Sequence, residues 1–203
     1  MSYLTIWRIT ISTNLIAFFC SLLISAILFR LIKKKRIGDW YWNSIIVYFI
    51  AVKISYIVFN YQLFLKTPLS IIYFSGGEKG QFLATICLAI YLLFHLKEKK
   101  QTVLSEFIPI YMQLFLLYQI VLHAFKENFT AMIFELLLLL FFMIMNNYQN
   151  KYETIKLFIV SILLESLLLS LFNELLTISN LSIVTIGGLI VGTYFIQRGN
   201  AQS

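Results

Sequence analysis

Charge is scarce in this chain: only 12% of its residues are Asp, Glu, Lys or Arg, against about 25% in an ordinary globular domain. That deficit excludes a water-soluble fold, because more than half of a folded protein's surface is already apolar and further apolar residues would have nowhere to hide. Proline and glycine are also few, 2 and 8 in 203 residues, which excludes a disordered or linker-rich architecture. Two histidines and two cysteines are present. Cys20 and Cys87 lie inside apolar runs and form no C-x-x-C pair, so neither a redox couple nor a zinc site is signalled. No metal and no cofactor are expected.

What is abundant is apolar side chain: 60% hydrophobic and 17% aromatic. A spanning helix needs roughly 20 mostly apolar residues, and about seven stretches qualify. They are Ile9–Ile32, Trp42–Phe64, Gln81–Leu96, Val103–His123, Phe129–Met145, Ile155–Phe172 and Leu181–Ile196. The predicted fold class is all-α, a polytopic membrane helical bundle forming one integral membrane domain over residues 1–203. The first run is too long for the core of a signal peptide and no small-residue cleavage site follows it. The net charge of +7 reflects basic residues clustered in short loops, as membrane topology demands, and no basic stripe suggests nucleic acid. Eleven of the 16 Lys and Arg residues follow the first, third, fifth and last helices. The positive-inside rule then puts the N-terminus outside and the C-terminus in the cytoplasm. The connection Lys66–Gly80 keeps Ile71, Ile72, Tyr73 and Phe74 and reads as an amphipathic stretch at the outer interface.

Ionisable groups at bilayer depth are costly and point to function. Lys53 lies far from either end of its helix, which weakens a snorkelling account. Glu135 opens a run of five leucines and Glu165 follows Leu163 and Leu164. Neither can comfortably face lipid while ionised, and a Lys–Glu pairing across the bundle would satisfy both charges. His123 ends the fourth helix beside Lys126 and Glu127 and is a candidate proton carrier. Gly76-Gly77-Glu78-Lys79-Gly80 opens the third helix, where glycines permit close backbone approach and free amides can bind an anion. Gly188 and Gly192 form a small-residue face suited to helix packing.

The order of these features resembles that of prolipoprotein diacylglyceryl transferases. Lys33-Lys34-Lys35-Arg36-Ile37-Gly38-Asp39 is similar to that family's basic first loop. Ala51-Val52-Lys53-Ile54-Ser55-Tyr56-Ile57-Val58-Phe59 resembles its G-[AG]-R-x-x-Y-V-L-F segment, with Lys53 in place of Arg. Leu65, Pro68, Ile71 and Gly76-Gly77 follow in the order of its re-entrant arm. Further on, Ser105-Glu106-Phe107-Ile108-Pro109 looks like its D-x-x-A-P, Met132-Ile133-Phe134-Glu135 its Q-L-Y-E, and Ser161-Ile162-Leu163-Leu164-Glu165 its R-F-x-x-E. The family's His after the double glycine is absent, Gln119 stands where its signature Arg would fall, and Ser161 replaces its sixth-helix Arg.

The resemblance implies a transferase-like fold that holds a phospholipid headgroup or lipid-linked substrate in a central cavity, with degenerate or altered catalytic residues. It implies headgroup contacts at Lys53, Tyr56, Gly76, Gly77 and Lys79, with Glu135, Glu165 and His123 as the candidate catalytic groups. Phosphatidylglycerol, a lipoprotein precursor or another membrane protein are the partners it suggests, in the cytoplasmic membrane. An active diacylglyceryl transferase is one alternative, in which Glu165 or His123 takes the proton of the attacking thiol. A membrane cysteine protease using Cys87 is another, though no His neighbours Cys87 in sequence. A non-catalytic accessory or immunity protein acting through helix–helix contacts is a further one.

Overall fold

The computed structural model describes residues 3–6, 9–73, 76–98, 106–148 and 151–199. A short antiparallel hairpin, β1 (Tyr3–Ile6) with β2 (Ile9–Ser12), precedes the helices. These follow as α1 (Thr13–Lys33), α2 (Asp39–Phe59), α3 (Tyr61–Lys66), α4 (Ser70–Tyr73), α5 (Gly77–Glu98), α6 (Ile108–Phe125), α7 (Phe129–Tyr148), α8 (Lys151–Leu171) and α9 (Ile178–Gly199). Each of the seven expected segments contains a helix. Five helices are long and apolar enough to cross a membrane: Ile16–Lys33, Asp39–Phe59, Ile108–Phe125, Phe129–Asn147 and Thr154–Leu171. The apolar parts of α5 and α9, Lys79–His95 and Asn180–Gly192, are shorter.

Several helices extend a few residues beyond the expected runs, and the first two runs are cut short, each for a local reason. The first helix begins at Thr13 rather than Ile9. Ile9-Thr10-Ile11-Ser12 alternates apolar and polar residues and pairs in register with Tyr3–Ile6, and β-branched residues at period two suit a strand. The second helix stops at Phe59. Asn60 leaves the helical region at φ −130° and ψ 39°, while its N–H still closes the last turn onto Tyr56 O at 2.9 Å. Residues 103–105, expected in the fourth helix, lie outside the described residues. Elsewhere the ends carry recognisable stops and starts. Pro109 occupies the first turn of α6, where its missing N–H costs nothing. Asn128 Oδ1 accepts from the Ala131 N–H at 3.3 Å and so caps α7.

The chain divides into two compact units. Unit 1 comprises residues 1–37 and 101–175; unit 2 comprises 38–100 and 176–203.

In unit 1, α6 is the central helix. It packs on α1, α7 and α8, and α7 also packs on α8. Met112, Phe115 and Leu116 of α6 are fully buried, as are Phe29 of α1, Phe142 of α7 and Phe158 of α8. The Tyr111 and Phe158 rings meet edge-on with centroids 5.8 Å apart, a favoured aromatic geometry. The outward faces carry Ile27 and Leu31 on α1, Ile133, Leu137 and Ile144 on α7, and Leu163 and Leu167 on α8, all exposed. Apolar side chains that face outward in such numbers belong in lipid.

In unit 2, α2 and α5 pack most closely, and α9 joins α5 through Ala89, Leu92, Ile186 and Ile190. Ser55 sits where the two backbones approach. A Cβ at Gly76 or at Gly80 would collide with Ser55 Oγ. Gly77 takes φ +64°, the left-handed conformation that glycine adopts without strain.

Candidate functional site

Unit 1 buries more unpartnered polar groups than an all-apolar environment tolerates. On α8, Phe158, Ser161, Glu165 and Leu169 recur at helical spacing and are all fully buried. On α7 the inward stripe is Ala131, Glu135, Leu139 and Phe142. Glu135 stands six residues after the start of α7 and Glu165 six before the end of α8. At 1.5 Å per residue both carboxyls lie at a similar depth, about 9 Å from the same end of unit 1.

The two carboxyls are neighbours and act on each other electrostatically. The two carboxyls stand within hydrogen-bonding reach of each other, and no other described group donates to any of their four oxygens. Glu135 and Glu165 are 1% and 0% exposed, so water does not take the missing partner's place at the surface. Ser161 Oγ, one turn before Glu165 on the same face of α8, also has no partner among the described residues. Its behaviour differs from that of other helical hydroxyls here. Ser25, Ser44, Ser55 and Ser166 each donate to a carbonyl three or four residues back, at 2.7–3.0 Å. Gln113 Oε1 of α6 is a further buried acceptor with no donor among the described residues.

One end of this polar file is closed by an ion-paired rim. Lys126 Nζ, just past α6, donates to Glu174 Oε2 at 2.7 Å. His123 Nε2 stands 3.4 Å from the same oxygen, too long for a well-formed hydrogen bond. The His123 ring leans on Phe172 with centroids 6.2 Å apart, and its Nδ1 has no partner among the described residues. Within unit 1 the structure thus holds Glu135, Glu165 and His123, the candidate catalytic groups, with Ser161 one turn from Glu165 on the buried face of α8. The charge of Glu174 is felt at Glu135, which links rim and pair.

The expected Lys–Glu pairing gives way to a Glu–Glu pairing. No described Lys, Arg or His donates to either carboxyl; Lys53 belongs to unit 2. There Lys53 Nζ donates to the Ile71 carbonyl at 2.9 Å and rests 5.8 Å from the centre of the Phe49 ring. Tyr56 Oη donates to Ser70 Oγ at 2.8 Å. Both residues therefore tether the α3–α4 arm to α2. The other expected headgroup contacts share unit 2: Gly76 packs on Ser55, Gly77 turns the chain and Lys79 is exposed. The small-residue face of α9 is open. Gly188 and Gly192 are exposed, with no described atom within 4 Å of where a Cβ would stand, so they mediate no packing among the described residues. Cys20 and Cys87 are free, half-buried thiols, one in each unit. Among the described residues no group of three or more His, Cys, Asp or Glu could hold a metal ion.

Cutting both tethers of the arm has an expected outcome. In a Lys53→Ala, Tyr56→Phe double variant, limited proteolysis should cleave within residues 61–70 about thirtyfold faster, since the two lost hydrogen bonds together are worth on the order of 2 kcal/mol. Unchanged cleavage would mean that apolar packing alone holds the arm.

Sequence reasoning finds both glutamates but not their partnership. Spacing within one helix shows which residues share a face, not which face of a neighbouring helix they meet. The signal that is present is the Ser161–Glu165 separation of four, which places both on the buried stripe of α8.

Chemically, a closed carboxyl pair with a hydroxyl beside it is a set of acceptors awaiting donors. It suits a proton, a cation or a donor-rich headgroup, and it repels an anion. No family model, curated protein or solved structure matches this chain.

Proposed function

We propose that this is a multi-pass protein of the cytoplasmic membrane that holds a phospholipid headgroup or a lipid-linked substrate among the helices of unit 1, with catalytic residues that are degenerate or altered. The observation that carries this reading is the Glu135–Glu165 pair, buried on apolar helices with no donor among the described residues beyond the two carboxyls themselves. An unsatisfied acidic pair in a bilayer costs stability and is retained for what it binds. Both glutamates are the acidic positions that the resemblance to prolipoprotein diacylglyceryl transferases singles out. Seven spans, with the N-terminus outside and the C-terminus in the cytoplasm, are part of the same reading. The end of α1 supports that arrangement: Lys33 Nζ bonds the Asn146 carbonyl at 3.4 Å, which brings basic residues after α1 to the end of α7 that precedes Lys151.

Binding is favoured over transfer. Moving a diacylglyceryl group off a phosphodiester needs a cation to take up charge on the departing phosphate, whereas Lys126 of unit 1 is committed to Glu174. A second reading, an accessory protein acting through helix–helix contacts, has one observation in its favour. The open Gly188/Gly192 face on α9 would let another helix approach closely.

Native mass spectrometry of the detergent-purified protein tests the primary reading. Phospholipid should stay bound to the wild type and be lost from Glu135→Gln and Glu165→Gln variants. Lipid-free wild-type protein, or retention indifferent to both substitutions, would remove the headgroup site and leave the accessory reading.

A further inference from the structure

We infer that the unit-1 site recognises a primary ammonium group, which Glu135, Glu165 and Ser161 surround with acceptors, and that this ammonium is the headgroup of an aminophospholipid. The inference rests on the headgroup reading above and narrows it by charge. It departs from the phosphatidylglycerol that the family resemblance suggests.

The argument begins with donors and acceptors. A primary ammonium carries three N–H donors and no acceptor. The site offers two carboxyls and one hydroxyl oxygen, each fully buried, and no described group beyond the two carboxyls themselves donates to any of them. Ser161 is the independent sign of a ligand. Its hydroxyl forgoes the backbone carbonyl bond that Ser166, on the same helix, makes at 2.8 Å. A hydroxyl in that position can accept from an ammonium while its own proton turns elsewhere. A phosphate or a glycerol phosphate would bring negative charge against two carboxyls. A quaternary ammonium would bring charge with no N–H to give.

The surroundings indicate the side from which the group arrives. The Lys126–Glu174 ion pair and the His123 ring stand over the end nearest the pair. The flanks are apolar and face outward: Phe134 and Leu136 beside Glu135, and Leu164 beside Glu165, are all exposed. An ammonium carried on a lipid would slide in along those flanks between α7 and α8, leaving its acyl chains in the bilayer. A free amine from water would have to pass the rim.

The test uses the full chain, delipidated in detergent and offered mixed micelles containing phosphatidylethanolamine, phosphatidylcholine or phosphatidylglycerol, with native mass spectrometry as readout. Phosphatidylethanolamine should be retained at least about tenfold over the other two, the scale of one charge-assisted hydrogen bond. Glu165→Gln, Glu135→Gln and Ser161→Ala should each reduce that preference, and thermal unfolding of the same samples shows that they are folded. Preferential retention of phosphatidylglycerol, lost on the same substitutions, would overturn the ammonium inference and leave the headgroup reading standing. Retention of no lipid would overturn both. Methylammonium in the buffer separates the sources: if it binds at the pair while phosphatidylethanolamine does not, the lipid assignment and the headgroup reading both fail.

Discussion

Glu165→Leu should make the protein more stable, raising the free energy of unfolding by about 1–4 kcal/mol. A carboxyl taken from water into an apolar interior must be repaid by partners, and among the described residues Glu165 has only the Glu135 carboxyl, itself an acid. Leucine is close to glutamate in size, so the change removes a desolvation cost without opening a cavity. It also relieves Glu135 of a neighbouring acid. Glu135→Leu should act in the same direction, and the double variant should gain less than the two single gains together, because groups in contact are not additive. Thermal unfolding in one detergent at one lipid concentration measures all three. The gain should come with loss of bound lipid, and that opposition of stability and binding marks a group kept for function. A lower melting temperature in Glu165→Leu would show that the carboxyl is satisfied in the folded protein, and the site would lose its basis.

The second large effect lies in unit 2. Gly80→Ala should destabilise the α2–α5 pair by about 1–3 kcal/mol, the usual cost of forcing a methyl group into a filled contact. The new Cβ would meet Ser55 Oγ, with Ser55 Cβ at 3.3 Å. Adding Ser55→Gly should therefore restore most of the loss. Gly76→Ala should resist that rescue, because its Cβ would also stand 2.9 Å from the Gly80 Cα, which no change at Ser55 can move. Thermal unfolding of the single and double variants separates the cases. Equal rescue of both glycine variants would mean that the backbones of α2 and α5 can spread apart, and that the close approach is not what holds them together.

The helices are legible because a bilayer imposes a length and a composition that soluble packing does not. That logic locates a helix in each of the seven stretches, five of them long and apolar enough to cross a membrane, yet it fails where an apolar run contains a second kind of order. Ile9–Ser12 is hydrophobic enough to extend the first helix, and only its period-two alternation betrays the strand. Asn60 escapes notice for the same reason: one polar residue hardly alters the mean hydropathy of its surroundings, but it suffices to end a helix. Glu135 and Glu165 stand out by cost alone. Their contact does not, because it depends on how α7 and α8 rotate about their axes, and that is settled by the summed packing of residues such as Phe142 and Phe158. Gly188 and Gly192 show the converse hazard. A small-residue spacing states what a helix could pack against and says nothing of whether a partner is present within the chain.

The interleaving of the two units in the sequence sets a problem of timing during synthesis. α1 ends at Lys33 and its partner α6 begins at Ile108, about 75 residues later, a wait of roughly 4–15 s at ribosomal speed. Throughout that interval α1 must stand in lipid with its future interface uncovered. Its buried hydroxyls are suited to the delay: Ser21 donates to Phe18 O at 2.8 Å and Ser25 to Leu22 O at 3.0 Å, both within the helix. α1 thus arrives with these hydroxyls already bonded within itself. The acidic helices need no such patience, because α7 and α8 are made one directly after the other, and the first glutamate meets the second almost as soon as it is inserted.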